Sequence, residues 1–289
     1  VGLGIYLAEG ARNRHPKITN STPLVIAQGI KFFKLFNFTK KDFKAWIQLH
    51  KRSIRSFEEV EAFWIKNVNL NRKNITKIRI KKSEGAAEIE PFGTLHLEIN
   101  YRLFQLLIDN LIKIILKIIK QLSNEELIWF LQGAYAGEGY VGLARSGSVN
   151  IIGYTSMRKK ERALIQKILS KFDIKVHENN RSGNLNAYGY YNIKKFHDLK
   201  IFKYHPFRNF RLESGLDKLE KSHIPNFNKN KIVDLLKENN LLTCSDISKH
   251  LSLSYRCAKK HLRELEYANK IDKINGSGSL PHKYFVNSR

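Results

Sequence analysis

Two glutamates, Glu9 and Glu138, stand in near-identical settings 129 residues apart: "GIYLAEG" at 4–10 and "GAYAGEG" at 133–139 share the pattern Gly-x-Tyr-x-(Ala/Gly)-Glu-Gly. In each copy two small residues lie four apart, Gly4 and Ala8 in the first and Gly133 and Gly137 in the second. On a helix that spacing puts both on one face, and two such faces let backbones approach closely because no side chain holds them apart. If the two helices pack together, both carboxylates emerge at one end of the contact. Two close carboxylates repel, and one takes up a proton unless a cation lies between them. Mg²⁺ suits that place, since it accepts carboxylate and carbonyl oxygens, keeps some waters and bridges to phosphate. Such a site supports in-line hydrolysis of a phosphodiester, and two centres suit the two strands of a duplex.

The charge of the chain names the same partner. Its 289 residues carry 51 Lys and Arg against 26 Asp and Glu, a formal net charge of +25. That field favours polyanions, nucleic acid before anionic membrane. The most apolar stretch, 103–120, is interrupted by Asp109, Lys113, Lys117 and Lys120 at spacings of four and three, so it reads as a helix packed on a core and not as a membrane span. Cys244 and Cys257 form no CxxC pair and stand alone, which excludes a disulfide framework or zinc site and fits a reducing, intracellular compartment, cytoplasmic or organellar.

The elements around the glutamates follow from local signals. "SNEE" at 123–126 is a capping box, so the second motif helix runs from about 124 to 137 and its glutamate sits at the C-terminal end. The first motif helix has eight residues before Glu9 and no cap, which predicts a frayed helix and a natural start upstream of Val1. After the second motif come β-like runs at 140–144 and 148–156, a helix at 158–172, β-like runs at 174–180 and 185–193, and a helical tail to about 220. After the first come β-like 16–20, a helix at 22–36, β-like 42–50, a helix at 56–67, β-like 77–82 and 94–99, and a long helix at 101–121. A polar break at 222–229 separates a last segment, 230–289, that reads as three helices and a terminal hairpin.

The pair "GIYLAEG" and "LQGAYAGEG" resembles the two motifs of the single-chain LAGLIDADG homing endonucleases, over about residues 1–220. The resemblance implies an α+β fold of two αββαββα halves, 1–122 and 123–221, forming a pseudo-dimer within a monomer. It also implies motif helices at the central interface and two four-stranded antiparallel saddles in the DNA major groove. Carried over by position, Glu9 and Glu138 match the metal-binding acids, and Ala8 and Gly137 the positions whose carbonyls help coordinate Mg²⁺, or Mn²⁺ or Ca²⁺. Family members commonly carry Gln or Lys at the end of the second strand of each half, organising the hydrolytic water. Here Asn20 and Ser21, and Thr155 and Ser156, occupy that region; Asn20 and Ser156 are the candidates, and Arg12, Arg14 or Lys159 could supply the missing cation.

Readers of double-stranded DNA should be long polar side chains on strand faces, with lysines on phosphates. Lys77, Arg79 and Lys81 alternate with Ile78 and Ile80, as a sheet with one core side requires. Arg145, His177, Arg181, Asn186, Tyr188 and Tyr190 are the candidates in the second half, beside Arg12 and Arg14 in the first. The segment 230–289 resembles a winged helix-turn-helix whose third helix enters a major groove, with Tyr255, Arg256, Lys259, Lys260 and Arg263 as contacts and Leu262 and Leu265 facing the core. The activity implied is a site-specific, metal-dependent, double-strand-cutting endonuclease encoded by a mobile intron. Two other readings stay open: a transcription regulator, as in a bacterial sporulation-regulator family that joins this fold to a helix-turn-helix, and an RNA maturase.

Overall fold

A computed structural model describes residues 1–11, 15–50, 53–81, 91–223, 227–276 and 280–287. Two compact units result, Val1–Leu143 with Val149–Ser214, and Ala144–Ser148 with Gly215–Arg289.

The first unit runs α1 (Gly2–Glu9), β1 (Gly10–Ala11), β2 (Lys17–Asn20), α2 (Pro23–Lys34), β3 (Phe43–His50), α3 (Phe57–Val68), β4 (Ile75–Lys81), β5 (Thr94–Ile99) and α4 (Arg102–Ile118). It continues through α5 (Asn124–Glu138), β6 (Gly139–Leu143), β7 (Val149–Thr155), α6 (Lys159–Lys171), β8 (His177–Asn179), β9 (Asn184–Ala187), α7 (Tyr190–Asp198) and the start of α8 (Pro206–His223). Helix α5 starts as its sequence dictates: the Ser123 side chain accepts from the Glu126 N–H and the Glu126 carboxylate accepts from the Ser123 N–H. Helix α1 lacks a side-chain cap yet is regular from Gly2 to Glu9, not frayed. Packing takes the place of capping, for Ile5, Tyr6 and Leu7 are buried, each worth about 1.5–3 kcal/mol.

Helices α1 and α5 meet backbone to backbone. A Cβ added to Gly4 would fall on the Phe130 carbonyl oxygen and 2.9 Å from the Ala134 nitrogen; one on Gly133 would fall on the Val1 carbonyl oxygen and 2.9 Å from the Ile5 nitrogen. The contacts are reciprocal, with the 129-residue offset of the glutamates between counterparts. At the C-terminal end, a Cβ on Gly137 would stand 2.6 Å from the Ala8 Cβ. The small-residue stripe thus has the role its spacing predicts.

Two sheets flank this pair. The order β6-β7-β9-β8 is antiparallel throughout and four-stranded. The other, β1-β2-β5-β3-β4, departs from the four-stranded antiparallel expectation: it has a fifth strand, and β4 runs parallel to β3. The fifth strand is the two-residue β1; the parallel pairing arises where α3 returns the chain to lay β4 on the outer edge in the same direction as β3. The first half is therefore not a simple αββαββα unit.

Other boundaries also shift. The β-like run 185–193 yields a strand only over Asn184–Ala187, because Gly189 takes a positive φ of 82° and α7 begins at Tyr190. Only His177–Asn179 of 174–180 pairs. In α4, Phe104, Ile108 and Ile112 are buried and Lys113 and Lys117 exposed, but so are Leu103, Leu106, Leu107 and Ile114. No helix among the described residues is long and apolar enough to cross a membrane.

The second unit contains α9 (Phe227–Glu238), β10 (Leu242–Thr243), α10 (Cys244–His250), α11 (Tyr255–Tyr267), β11 (Ile271–Ile274) and β12 (Lys283–Val286). Strand β12 pairs with both β10 and β11, antiparallel, making three strands where a hairpin is predicted. Its core gathers Ile232, Leu236, Ile247, Ala258, Leu262, Leu265 and Ile271. The predicted break at 222–229 is helical on both sides, α8 ending at His223 and α9 opening at Phe227; 224–226 lie outside the described residues.

Candidate active site and nucleic-acid interface

Each glutamate is the last residue of its helix. Gly10 and Gly139 follow in extended backbone, and their N–H groups close the helices on Tyr6 O and Tyr135 O. Beyond that the two ends differ.

At the first, Asn20 donates its Nδ2–H to Glu9 Oε1 at 2.7 Å, while its Oδ1 accepts from the Thr22 N–H at 2.8 Å. The second bond fixes which way the amide points, so the donor faces the carboxylate. Strand β2 positions Asn20 as its last residue, 8% exposed. Asn20, the strand-end candidate of the first half, thus stands against Glu9. Arg12 and Arg14 lie outside the described residues.

At the second, the partner is a residue that local patterns gave no sign of. Arg208, on α8, donates Nη1–H bonds to the carbonyl oxygens of Tyr135 at 2.9 Å, Ala136 at 2.9 Å and Gly137 at 2.7 Å. These are last-turn carbonyls, with few intrahelical donors left for them, and a cation there complements the helix dipole. Burial pulls the Arg208 pKa down, while the charges of Glu9 and Glu138 push it back up, so the guanidinium senses both carboxylates. Burial raises the Glu138 pKa; Arg208 opposes that and Glu161 adds to it. His205 precedes α8: its Nδ1 accepts from the Arg208 N–H at 3.3 Å and its Nε2 lies 3.2 Å from Thr22 Oγ1. Accepting at Nδ1 assigns the proton to Nε2. Burial, then Arg208, lowers the His205 pKa to about 3, so the ring is neutral.

Ser156 does not mirror Asn20. Its hydroxyl donates to Glu161 Oε2 at 2.9 Å and accepts from the Arg158 N–H, in a cluster where Arg158 also binds Glu161, and Arg162 binds Glu178 and the Ser156 carbonyl. That cluster fastens the turn between β7 and α6. Thr155, which ends β7 as Asn20 ends β2, donates to Asn184 Oδ1 at 3.0 Å. Lys159 opens α6 and is exposed. Among the described residues no hydrogen bond reaches the Glu138 carboxylate.

The donor chemistry bears on a divalent cation. No cluster of three or more His, Cys, Asp or Glu suited to a metal occurs among the described residues; a divalent cation at the glutamates would take its other ligands from carbonyls and water, as Mg²⁺ and Mn²⁺ allow. The Glu9 end fits that chemistry, its carboxylate oriented by an amide. At the other end the Gly137 carbonyl, predicted to face a metal, faces a guanidinium.

The non-core face of the first sheet is cationic and aromatic. Along β3, Phe43, Ala45, Ile47 and Leu49 are buried, which turns Lys44, Trp46, Gln48 and His50 to the other side. Register places Lys77 beside Trp46, Arg79 beside Gln48 and Lys81 beside His50, with Ile78 beside Ile47, so the cations share one side as predicted; the expected core side is not closed, for Ile78 is half-buried and Ile80 57% exposed. The Lys81 side chain lies outside the description. Trp46 stacks on His96 at 3.5 Å, with Arg79 5.2 Å and Lys17 5.9 Å from its ring. Burial, then Lys17 and Arg79, lowers the His96 pKa to about 4. Sequence reasoning missed Lys17, Trp46 and His96; for Trp46 the alternation in "FKAWIQLH" was the available signal.

The second sheet's face is neutral. Its register sets Tyr140, Gly153, Asn186 and His177 in one row, where Tyr140 lies over Gly153 and donates to Asn186 Oδ1 at 2.6 Å. His177 and Tyr188 approach at 5.8 Å between ring centres. Arg181 is exposed in the β8–β9 turn, and Tyr190 opens α7 rather than extending a strand. Arg145 is exposed in the turn 144–148, within the second unit. In that unit Ser254 caps α11 by accepting from the Cys257 N–H. Tyr255, Arg256, Lys259, Lys260 and Arg263 are exposed on α11, while Ala258, Leu262 and Leu265 are buried.

The fold and site define a mixed helix–sheet protein in which two helix-terminal glutamates lie in the field of one arginine and one sheet carries a basic face. Residues 125–205 match the family model described as a LAGLIDADG-like domain, a span holding α5 with Glu138, the second sheet and α7. Solved structures similar to this chain include mesophilic variants of the homing endonuclease I-DmoI, at 16% identity and a TM-score of 0.35, covering 68% of this chain and 92% of that one. I-DmoI in complex with DNA and Mn matches at 15% identity and a TM-score of 0.35, covering 70% and 94%. No curated protein matches the chain.

Proposed function

We propose that this chain is a LAGLIDADG-type DNA endonuclease that hydrolyses phosphodiesters in duplex DNA with the help of a divalent cation. The observation that carries the reading is the backbone contact of α1 with α5, which brings Glu9 and Glu138 to one end of the helix pair, where Arg208 senses both. The reciprocal contacts of Gly4 and Gly133 favour two pseudo-symmetric halves, 1–122 and 123–221, acting as a pseudo-dimer within a monomer. Mg²⁺ or Mn²⁺, when bound, supplies Lewis acidity at the phosphate; Glu9 and the Ala8 carbonyl would hold it, beside Glu138. Asn20 orients Glu9, Lys77 and Arg79 bind phosphates, and Asn186 and His177 face base edges. Residues 230–289 act as a winged helix-turn-helix whose α11 lengthens the recognised site. An intron-borne gene and an intracellular setting complete the proposal.

One observation favours a second reading, a DNA-binding regulator that does not cut: the Gly137 carbonyl is already taken by Arg208. Selecting bound sequences from a randomised duplex library, then incubating them with the chain and Mg²⁺, separates the two. The endonuclease reading predicts site-specific cutting that Glu9→Gln and Glu138→Gln abolish while binding persists. Discrete binding with neither nicking nor cutting would leave the regulator.

A further inference from the structure

Arg208 has the position of a cofactor more than of a surface residue. One nitrogen of its guanidinium donates to three successive carbonyls, Tyr135, Ala136 and Gly137, at 2.7–2.9 Å. The backbone that carries it is tied at the start of its own helix, where His205 Nδ1 accepts from the Arg208 backbone N–H and His205 Nε2 meets the Thr22 hydroxyl. Thr22 in turn gives its N–H to Asn20, the residue bound to Glu9. Hydrogen bonds joined through the backbones of Arg208 and Thr22 therefore link the helix that carries the arginine to the amide on the Glu9 end.

We infer that Arg208 is the resident cation of the Glu138 end, occupying the Gly137 carbonyl so that the paired-glutamate site takes a divalent metal on one side only, through Glu9 and the Ala8 carbonyl. The inference rests on the metal-dependent reading above. Its physical basis is exclusion. A metal seated on the Gly137 carbonyl would bring a second positive charge against the guanidinium, and like charges disfavour each other strongly where water is scarce. Arginine cannot relieve this by losing its proton. The guanidinium also satisfies carbonyls that a departing side chain would leave partly unpaired. The duplicated motif thus presents two similar helix ends, one filled by a metal and the other by a side chain.

Mn²⁺ titrated into the full chain and followed by the paramagnetic resonance of the free ion tests this, with a readout independent of cutting. The wild type should bind one tight Mn²⁺. Glu9→Gln should weaken it by about tenfold to a hundredfold, and Glu138→Gln by less than about threefold. Arg208→Ala should gain a second tight Mn²⁺, which Arg208→Ala with Glu138→Gln loses again. Two tight ions on the wild type, or equal weakening by Glu9→Gln and Glu138→Gln, overturns the inference while leaving metal dependence intact. Those wild-type and glutamine arms decide the matter even if Arg208→Ala does not fold. Tight Mn²⁺ on neither the wild type nor a folded Arg208→Ala overturns the metal-dependent reading itself.

Discussion

Glu9 and Glu138 end helices with the same local pattern and meet different chemistry. Glu9 accepts from an amide, Asn20, whose orientation the backbone fixes; both carboxylates lie in the field of Arg208, but the helix end that Arg208 caps is that of Glu138. The tyrosines of the motif differ likewise. Tyr6 donates to Gln105 Oε1 at 2.5 Å, whereas the Tyr135 hydroxyl has no hydrogen-bond partner among the described residues, and burial raises its pKa well above the ordinary value. The motif therefore specifies how two helices meet, and the residues beyond it decide what each carboxylate does. A duplicated motif is not a duplicated site.

The sharpest way to break that comparison is to damage what the two ends share. Gly133→Leu drives a side chain into the Val1 carbonyl and should cost about 3 kcal/mol or more, read as a fall in denaturation midpoint. Equal stability would mean the backbones are not in contact. A pH series addresses the residues that only the first half possesses. The His96 pKa falls from 6.5 unfolded to about 4 folded, so its contribution is complete above pH 6.5 and is lost as pH falls toward 4. The change amounts to at most about 3 kcal/mol; His96→Gln should flatten this part of the profile, and an unchanged profile would remove His96 from the account.

A smaller effect separates Asn20 from Ser156. Asn20→Ala should slow cutting by about tenfold, whereas Ser156→Ala should change it less than about twofold and lower stability by about 1–2 kcal/mol, as a bond to the buried Glu161 is lost. Equal kinetic losses would restore the symmetric site. Smallest is the helix start: Ser123→Ala removes the cap of α5 and should cost about 1 kcal/mol, while α1, which has no side-chain cap, offers no counterpart. A thermal melt with no shift would show that packing alone holds α5.

Much of this was legible in the sequence because the signals are local. Gly4 and Gly133 read as a helix contact from spacing; Ser123 with Glu126 read as a cap; Lys77 and Arg79 read as a strand face. Arg208 did not, since it lies 70 residues after Glu138 and only the packing of α8 returns it to α5. A Pro at position 206 following His205 marks a helix start, but nothing in "HPFRNFR" says where that helix points. The direction of β4 was missed for a related reason: its strand pattern is good, yet whether it runs parallel or antiparallel to β3 depends on α3. The turn at Gly189 was visible as a glycine within an aromatic run, and the run's β-like composition outweighed it.

The central claim is that the two glutamates cut DNA together, and cleavage of a selected duplex in Mg²⁺ by the wild type, Glu9→Gln and Glu138→Gln tests it most directly. The wild type should cut, each variant should lose at least about a hundredfold, and binding should be unchanged in both. Wild-type binding without cutting, or cutting that survives both substitutions, would contradict it.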